Sequence, residues 1–405
     1  MIRWITDRIG TAAHGDADVG SVADAVVVDV RQLVDRGGNR REELEAFIAE
    51  AAAGLRDGRR VVVCCDMGIS RSNAIAIGAL ASTGTPVDDA IAAYLASGSD
   101  AAIEPGLLRE IRVITGGPAT TAGQRDAVLL LGGAGYIGSR LAQALDPDRV
   151  LILDRDRFEL PRDVIAVDRV MREGGVGTVV HLAHPRLRND PRSLGEATAL
   201  MRGVLELCHL NGAHLVYGSA LAVYDGLAGD HVAHPELPAL PRGVYGESKH
   251  LCEELVRLHG VRGRAHATVL RLGLVYGPGQ RATTFLAKFF EWARAGQPIR
   301  THRYRNGEPA FDFVHVDDVV RVLRLAIDKG PRATVHVGTG RLTSTADLAR
   351  AVVRIVGSSS PHELVEIDDD VARTSVDPAE AASVLGWRSA VDLDDGLSCL
   401  WKETT

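Results

Sequence analysis

Short apolar runs alternate with amphipathic stretches along most of the chain. Residues 127–131 form an apolar run that can be buried on both faces, as a central parallel strand must be, and the stretch 139–148 has the pattern of an amphipathic helix. Further apolar runs, typical of buried strands, lie at 150–154, 177–183 and 214–218. This alternation predicts an α/β fold with a doubly wound parallel sheet in the second part of the chain.

A separate pattern occupies the first part of the chain. The apolar run 61–64 has the pattern of a buried strand, and the stretch 72–81 that of an apolar helix. A chain of 405 residues is too long for one compact core, so two or three domains are expected. Because residues 116–124 are small and polar, they are the best candidate linker. We predict an α/β domain at 1–115, a linker at 116–125 and a second domain at 126–405.

Three glycines at three-residue spacing follow the run 127–131. In a Rossmann-type dinucleotide cradle, the first allows a tight turn, the second lets the backbone approach a pyrophosphate, and the third lets a helix pack closely on the strand. Asp154, 22 residues beyond Gly132, is placed to bind the adenine ribose and favours NAD over NADP, although Arg155 and Arg157 are near. NAD is the predicted cofactor, and its predicted binding residues are Gly132, Gly135, Tyr136, Ile137, Gly138, Asp154, Leu182, Ala183, Tyr245 and Lys249.

Tyr245 and Lys249 are four residues apart and hence share one face of a helix. A tyrosine with its usual pKa of about 10 cannot act as a base near neutral pH. A neighbouring ammonium and a positively charged nicotinamide ring stabilise the phenolate and lower that pKa. Tyr245 is therefore predicted to remove a hydroxyl proton while hydride leaves the adjacent carbon, and Lys249 to hold the nicotinamide ribose as well.

A second chemical pattern lies in the first domain, where Cys65 and Arg71 are separated by five residues with Gly68 between them. A loop of this length that enters a helix can surround one phosphate with backbone N–H groups, and an arginine adds a bidentate contact. The same positive field lowers the pKa of the Cys65 thiol, so that its thiolate can attack phosphorus in line. This pattern predicts phosphate binding.

The loop resembles the signature loop of dual-specificity and tyrosine phosphatases over roughly residues 1–115. The resemblance implies Cys65 as the nucleophile, Arg71 as the phosphate binder and Ser72 as the hydroxyl that assists departure of the thiolate. It places the general acid about thirty residues upstream, where Asp35 is the first candidate and Asp29 the second. The family's histidine before the nucleophile is Cys64 here, so activity could be weakened, or the two cysteines could communicate by redox chemistry.

The second domain resembles the extended short-chain dehydrogenase/reductase family, close to UDP-glucose 4-epimerase and the nucleotide-sugar dehydratases. The resemblance implies bound NAD, Tyr245 and Lys249 as the catalytic pair, a small C-terminal lobe over a sugar-like substrate, and a homodimer through 194–210 and 245–258. The motifs that carry it are GGAGYIG at 132–138, HLA at 181–183, YGESK at 245–249, RLGLVYGPG at 271–279, FVHVDDV at 313–319, VGTG at 337–340 and LGW at 385–387.

The departures from that family concern the substrate. Ala220 stands where a serine or threonine normally binds the reacting oxygen, and Ser219 faces the other side of the strand unless a bulge turns it. Phe311 replaces an arginine, and a second phosphate-contacting arginine falls in the acidic stretch 367–371, although Arg373 is near. These changes predict a sugar, cyclitol or nucleoside that lacks the diphosphate, or a diphosphate that is bound differently. Alternative anion contacts and pocket residues are Arg300, His302, Arg303, Arg305, His184 and His315.

Composition excludes several classes of partner. The net charge is −7 with no basic stripe, which argues against nucleic acid, and no run is long enough to span a bilayer. The five cysteines have neither metal-binding nor disulfide spacing, so a cytoplasmic protein without a metal site is expected.

These observations predict a bifunctional enzyme, in which a cysteine-dependent phosphatase is fused to an NAD-dependent oxidoreductase or epimerase acting on a sugar, cyclitol or nucleoside, or its phosphate. Catalysis is assigned to Tyr245, Lys249, Ser219, Cys65, Arg71, Asp35 and Ser72. Two alternatives remain open. One is an ordinary nucleotide-sugar epimerase or dehydratase with an accessory phosphate-binding domain, and the other is a non-catalytic NAD-sensing regulator.

Overall fold

In a computed structural model, the described residues are 1–34, 38–68, 70–97, 105–116, 125–153, 160, 163–185, 190–280 and 284–404. The chain divides into two compact units, Met1–Gln124 and Arg125–Thr405. Most of the predicted linker, residues 117–124, lies outside the described ranges, and the predicted domain limits therefore stay a prediction. None of the described helices is both long and apolar enough to cross a membrane.

The first unit is built on a four-stranded sheet in the order β1-β2-β4-β3, in which β4 is parallel to both of its neighbours. The strand β4 is buried along its whole length because its sequence, VVVCC, is apolar on both faces. The elements are β1 (Arg3–Trp4), β2 (Ile9–Ala13), β3 (Val26–Asp29), α1 (Arg41–Arg56), β4 (Val61–Cys65), α2 (Arg71–Ser82), α3 (Val87–Ala96) and α4 (Pro105–Ile114).

The second unit contains the remaining strands and helices. Its strands are β5 (Ala127–Leu131), β6 (Val150–Leu153), β7 (Val176–His181), β8 (His214–Ala220), β9 (Gly229–Ala233), β10 (His266–Leu272), β11 (Leu274–Tyr276), β12 (Ile299–Tyr304), β13 (Ala310–His315), β14 (Ala333–Val337), β15 (Leu342–Ser344), β16 (His362–Ile367) and β17 (Ala372–Val376). Its helices are α5 (Tyr136–Ala144), α6 (Val164–Glu173), α7 (Arg192–Asn211), α8 (Gly243–Val261), α9 (Phe285–Arg294), α10 (Val316–Lys329), α11 (Thr345–Val356), α12 (Pro378–Leu385) and α13 (Leu393–Thr404).

Six of these strands form one sheet in the order β14-β10-β8-β7-β5-β6, and every neighbouring pair is parallel. The helices α5 and α10 pack on each other and contribute to one apolar core, while α6, α7 and α8 pack in succession. The predicted Rossmann-like parallel sheet is thereby confirmed. Because β5 pairs with β6 on one side and β7 on the other, the strand order reverses at β5, and ligands of such sheets bind beyond the carboxyl ends at that point.

The other strands of this unit form three small sheets, β11-β13-β15, β12-β16 and β17-β9. A separate apolar core, to which α9, α11 and α13 contribute, lies among them and includes Tyr276, Phe289, Phe290 and Phe313. These elements form a smaller lobe of the second unit.

Asp312 of β13 joins three segments of the second unit. Its carboxylate, which is 1% exposed, accepts hydrogen bonds from the backbone N–H groups of Thr339, Gly340 and Val376 at 2.7–3.2 Å and from the Thr339 hydroxyl at 2.8 Å. Burial raises the pKa of Asp312 even though these donors favour the ionised form.

We expect Asp312→Ala to lower the free energy of unfolding by about 2–4 kcal/mol, because several buried donors lose their charged acceptor. Urea unfolding of the full chain measures this loss. The matched control is Asp328→Ala, at an exposed carboxylate of α10, which should change stability by less than about 0.5 kcal/mol. Equal effects of the two substitutions would contradict the role given to Asp312.

Candidate functional site

A glycine-rich loop follows β5 at the point where the strand order reverses. Gly132 has φ +89°, and a Cβ there would lie 2.7 Å from the backbone nitrogen of Ala183. The Gly135 N–H donates to the Gly132 carbonyl at 2.9 Å, and a Cβ on Gly138 would overlap that same carbonyl. Only glycine fits these positions without a shift of the backbone. The loop is therefore closely packed against the segment that follows β7.

This loop fits the pyrophosphate of a dinucleotide. It leads directly into α5, whose first residues are the predicted contacts Tyr136 and Ile137, and a helix N-terminus provides N–H groups and a positive dipole end for phosphate. The other predicted contacts, Leu182 and Ala183, border the loop. Asp154, the predicted ribose ligand, lies outside the described residues.

Tyr245 and Lys249 lie in the first part of α8, beside the carboxyl end of β8. Lys249 is 4% exposed, and its ammonium donates to the Gly218 carbonyl at 2.6 Å. The same Nζ lies 5.8 Å from the ring centroid of Tyr245 and 4.9 Å from that of Tyr217. A buried ammonium in this position favours the phenolate form of a neighbouring tyrosine. The structure thus brings the predicted pair together.

The third predicted member of this site, Ser219, is engaged elsewhere. Its hydroxyl donates to the Glu253 carboxylate, which also pairs with Arg271 at 2.6 Å. The register of β8 against β10 is continuous through Ala220, so no bulge in this described pair turns Ser219 toward the other face. The geometry does not favour Ser219 as a ligand of the reacting oxygen. Glu253 was missed in the sequence, although its spacing from Lys249 places both on one helix face.

In the first unit, Cys65 ends β4 and Arg71 begins α2. The Gly68 N–H donates to the Cys65 sulfur at 3.2 Å, and the Ser72 hydroxyl lies 3.3 Å from the same sulfur. Gly68 has φ +67°, and a Cβ there would overlap the backbone of Ala12 and Ala13. The loop therefore directs one backbone donor and one hydroxyl at the predicted nucleophile.

The remaining predicted groups of this loop fit phosphatase chemistry less well. The Arg71 guanidinium donates to the carbonyls of Arg31 and Leu33, both at 3.0 Å, and to the Asp66 carboxylate at 2.7 Å. Asp35, the first candidate acid, lies outside the described residues. Hydrogen bonding to Arg31 lowers the pKa of Asp29, so this second candidate is ionised at neutral pH and holds no proton to donate.

Cys64 does not support redox coupling to its neighbour. Burial, with a contribution from Asp29, raises the pKa of the Cys64 thiol to about 11, which keeps it protonated at neutral pH.

Among the described residues, no cluster of histidine, cysteine or acidic side chains could hold a metal ion.

Comparison with known protein families matches residues 128–338, more than half of the chain, to the NAD dependent epimerase/dehydratase family. The chain belongs to this family. Its glycine loop, its tyrosine–lysine pair and most of its parallel sheet lie inside the matched residues. Family membership supports NAD as the cofactor.

Several known proteins are similar to most of the chain. UDP-glucuronic acid decarboxylase 1 of Xenopus tropicalis is 27% identical over 68% of this chain and 71% of its own length. ADP-L-glycero-D-manno-heptose-6-epimerase of Thiobacillus denitrificans is 26% identical over 60% of this chain and 81% of its own. The solved structure of MoeE5 in complex with UDP-glucose and NAD has a TM-score of 0.59 and 28% identity, covering 69% of this chain and 98% of that one.

A second NAD complex, that of UDP-glucose 4-epimerase from Thermus thermophilus, has a TM-score of 0.59 at 25% identity, with 68% of this chain and 98% of that chain covered. These comparisons give no support to the phosphatase interpretation of the first unit. They support an epimerase/dehydratase-like, NAD-dependent enzyme.

In the present chain, arginines of the second unit are paired with carboxylates. Arg300 pairs with Glu363 at 2.9 Å, and Arg305 with Asp370 at 3.4 Å, while Arg373 contacts Asp230. Phe311, at the position of an expected arginine, packs among the aromatic rings of Phe285 and Phe313. In the structure these arginines therefore already have carboxylate partners.

Proposed function

We propose that the second unit is an NAD-dependent enzyme that oxidises a secondary alcohol of a nucleotide sugar as a step in epimerisation or dehydration. The observation that carries this proposal is the buried Lys249 ammonium, which lies between the Gly218 carbonyl and the Tyr245 ring. The named relatives and NAD complexes support nucleotide sugars better than the diphosphate-free substrates that the sequence suggested.

In the proposed reaction, Tyr245 as phenolate accepts the proton of the substrate hydroxyl, and Lys249 stabilises the negative charge of the phenolate. Bound NAD supplies the hydride acceptor. The residues proposed to hold it are Gly132, Gly135, Tyr136, Ile137, Gly138, Asp154, Leu182 and Ala183, together with Tyr245 and Lys249.

Calorimetric titration of the NAD-loaded full chain tests the substrate class. We expect UDP-glucose or an ADP-heptose to bind at least about tenfold more tightly than the corresponding sugar 1-phosphate, because the nucleotide adds stacking and charge-assisted contacts. The control ligand is UMP, which separates recognition of the nucleotide from recognition of the sugar. Equal or tighter binding of the sugar 1-phosphate would favour the diphosphate-free substrates instead.

A second candidate function belongs to the first unit. We propose that the Cys65 loop binds a phosphate monoester and hydrolyses it through a cysteinyl phosphate, because Gly68 N–H and the Ser72 hydroxyl both contact the Cys65 sulfur. Phosphate binding requires the Arg71 guanidinium to exchange at least one of its present acceptors for phosphate oxygens.

For this candidate we expect Cys65→Ser to reduce hydrolysis of a small aryl phosphate by at least about 10³-fold, because serine at this position is a far weaker nucleophile. NAD binding and alcohol oxidation should not change. The matched control is Cys399→Ser, an exposed cysteine of the second unit. Hydrolysis that survives Cys65→Ser, or that is absent from the unmodified chain, would refute the phosphatase proposal and leave the first proposal intact.

A homodimer through α7 and α8 and a cytoplasmic location also remain proposals. Leu251 and Leu258 are seven residues apart on α8, and both are exposed. Burial of this pair in a second copy is consistent with the dimer implied by the sequence.

A further inference from the structure

His184 lies three residues beyond β7, next to the catalytic tyrosine. Its ring meets the Tyr245 ring edge to face, with centroids 5.0 Å apart and an interplanar angle of 62°. Its Nε2 is 3.0 Å from the Ser248 hydroxyl oxygen, and its Nδ1 is 3.0 Å from the Pro185 carbonyl oxygen. The imidazole therefore connects the end of β7 to the turn of α8 that carries Tyr245 and Lys249.

The hydrogen bonds around Ser248 determine which atoms donate. The Ser248 hydroxyl donates its single hydrogen to the Tyr245 carbonyl at 2.8 Å. The contact between Ser248 and His184 then requires Nε2 to be the donor. Because a carbonyl oxygen only accepts, Nδ1 must donate to Pro185. With both ring nitrogens protonated, His184 is an imidazolium in this arrangement.

The two residues at the carboxyl end of β8 do not supply a free hydroxyl to this site. Ala220 has no hydroxyl, and the Ser219 hydroxyl is bonded to the buried Glu253 carboxylate. Among the described residues of α8 and β7, the titratable groups near His184 are Tyr245, Lys249 and His181. Burial and the charges of Lys249 and His184 lower the pKa of His181 to about 3, so His181 is neutral and adds no charge.

We propose that His184 is a positioning residue that, as an imidazolium, fixes the first turns of α8 through Ser248 and places a second positive charge beside the phenol of Tyr245. The inference rests on the proposed function, in which Tyr245 is the base. The positive charge of Lys249 opposes protonation of His184, and the two hydrogen-bond acceptors favour it.

The sign of the pH dependence follows from the charge. While His184 is protonated, its positive charge stabilises the phenolate of Tyr245. When His184 loses its proton, or when the side chain is replaced by a neutral one, the phenolate loses this stabilisation. A smaller fraction of the enzyme then carries the phenolate near neutral pH, and kcat falls without an equal change in KM.

The test is an ultraviolet titration of tyrosinate in the full chain without substrate. Subtracting the titration of Tyr245→Phe isolates the signal of this tyrosine from the other six. We expect His184→Ala and His184→Gln each to move the measured titration of Tyr245 about one pH unit higher. This shift leaves about tenfold less phenolate at neutral pH. His184→Lys, which keeps the charge, should restore part of the shift.

Turnover gives an independent readout. The His184→Gln variant should lose about tenfold in kcat at neutral pH and regain it as the pH is raised, whereas a loss caused by misfolding persists at high pH. The matched control is His231→Ala, a half-buried histidine whose Nε2 also contacts a backbone carbonyl, that of Ala228 at 3.1 Å. It should leave the titration and the pH profile unchanged.

The outcomes separate this inference from the function on which it rests. A Tyr245 pKa that is not lowered in the unmodified chain would refute the role of Tyr245 as the base. If the measured pKa of Tyr245 is equally low in the unmodified chain and in His184→Gln, only the claim that His184 carries a positive charge is wrong. A wild-type pH profile in both His184→Ala and His184→Gln would overturn the positioning role as well.

Discussion

Replacement of Tyr245 by phenylalanine is expected to lower kcat by about 10²–10⁴-fold, the range typical of removing a positioned general base. Phenylalanine keeps the ring that lies 5.8 Å from the Lys249 ammonium and 5.0 Å from the His184 ring, so the packing of α8 is preserved. Only the phenol oxygen that is proposed to accept the substrate proton is lost. Steady-state turnover of a nucleotide sugar by the NAD-loaded chain measures the effect.

The matched control is Tyr304→Phe, at the end of β12 in the small lobe, which should leave kcat within about twofold. Both variants should still bind NAD, because Tyr245 is one of ten residues proposed to hold the cofactor and phenylalanine keeps its ring. Turnover of Tyr245→Phe at the level of the unmodified chain would mean that another group removes the proton.

Gly132→Ala is expected to weaken NAD binding by roughly 30- to 1000-fold. The new Cβ would lie 2.7 Å from the Ala183 backbone nitrogen, and the residue would keep a φ of +89° that alanine adopts only with strain. Strain of this kind costs about 1–3 kcal/mol, and displacement of the backbone that faces the pyrophosphate adds to the loss. Calorimetric titration with NAD gives the affinity, and urea unfolding gives the stability of the same variant.

Gly195→Ala is the control for this substitution. Gly195 lies inside α7, its φ is not positive, and a Cβ there would meet no atom within 4 Å. Alanine should leave NAD binding unchanged and raise the free energy of unfolding by about 0.5–1 kcal/mol, since it favours the helix over the unfolded chain. Comparable loss of NAD affinity in both variants would show that the glycine loop is not the cofactor site.

The sequence predicted the buried strands well, because their signal is local. The run 127–131 coincides with β5, and the run 61–64 falls within β4, since residues apolar on both faces have few alternatives to a central strand. Helix starts were predicted less well. The helix after β5 begins at Tyr136 rather than at 139, because the structural need for Gly138 overrides its low helix propensity.

Partners that are distant in sequence could not be predicted from spacing. Ser219 was assigned to catalysis, but the carboxylate that engages its hydroxyl is 34 residues away. The Arg71 guanidinium was assigned to phosphate, whereas its carbonyl acceptors come from a loop 38–40 residues earlier in the chain. His184 was only a candidate pocket residue, since nothing local indicates that its Nε2 faces Ser248, 64 residues later in the chain.

Oxidation of a nucleotide sugar by bound NAD is tested most directly by rapid mixing of the NAD-loaded full chain with stoichiometric UDP-glucose. The absorbance of reduced nicotinamide is recorded after mixing. The same measurement is then repeated with a panel of nucleotide sugars and sugar phosphates. We expect a transient of reduced nicotinamide with at least one nucleotide sugar, strongly slowed in Tyr245→Phe and preserved in Tyr304→Phe. Tight binding of NAD without reduction by any member of the panel would contradict it and favour a regulator that senses the cofactor.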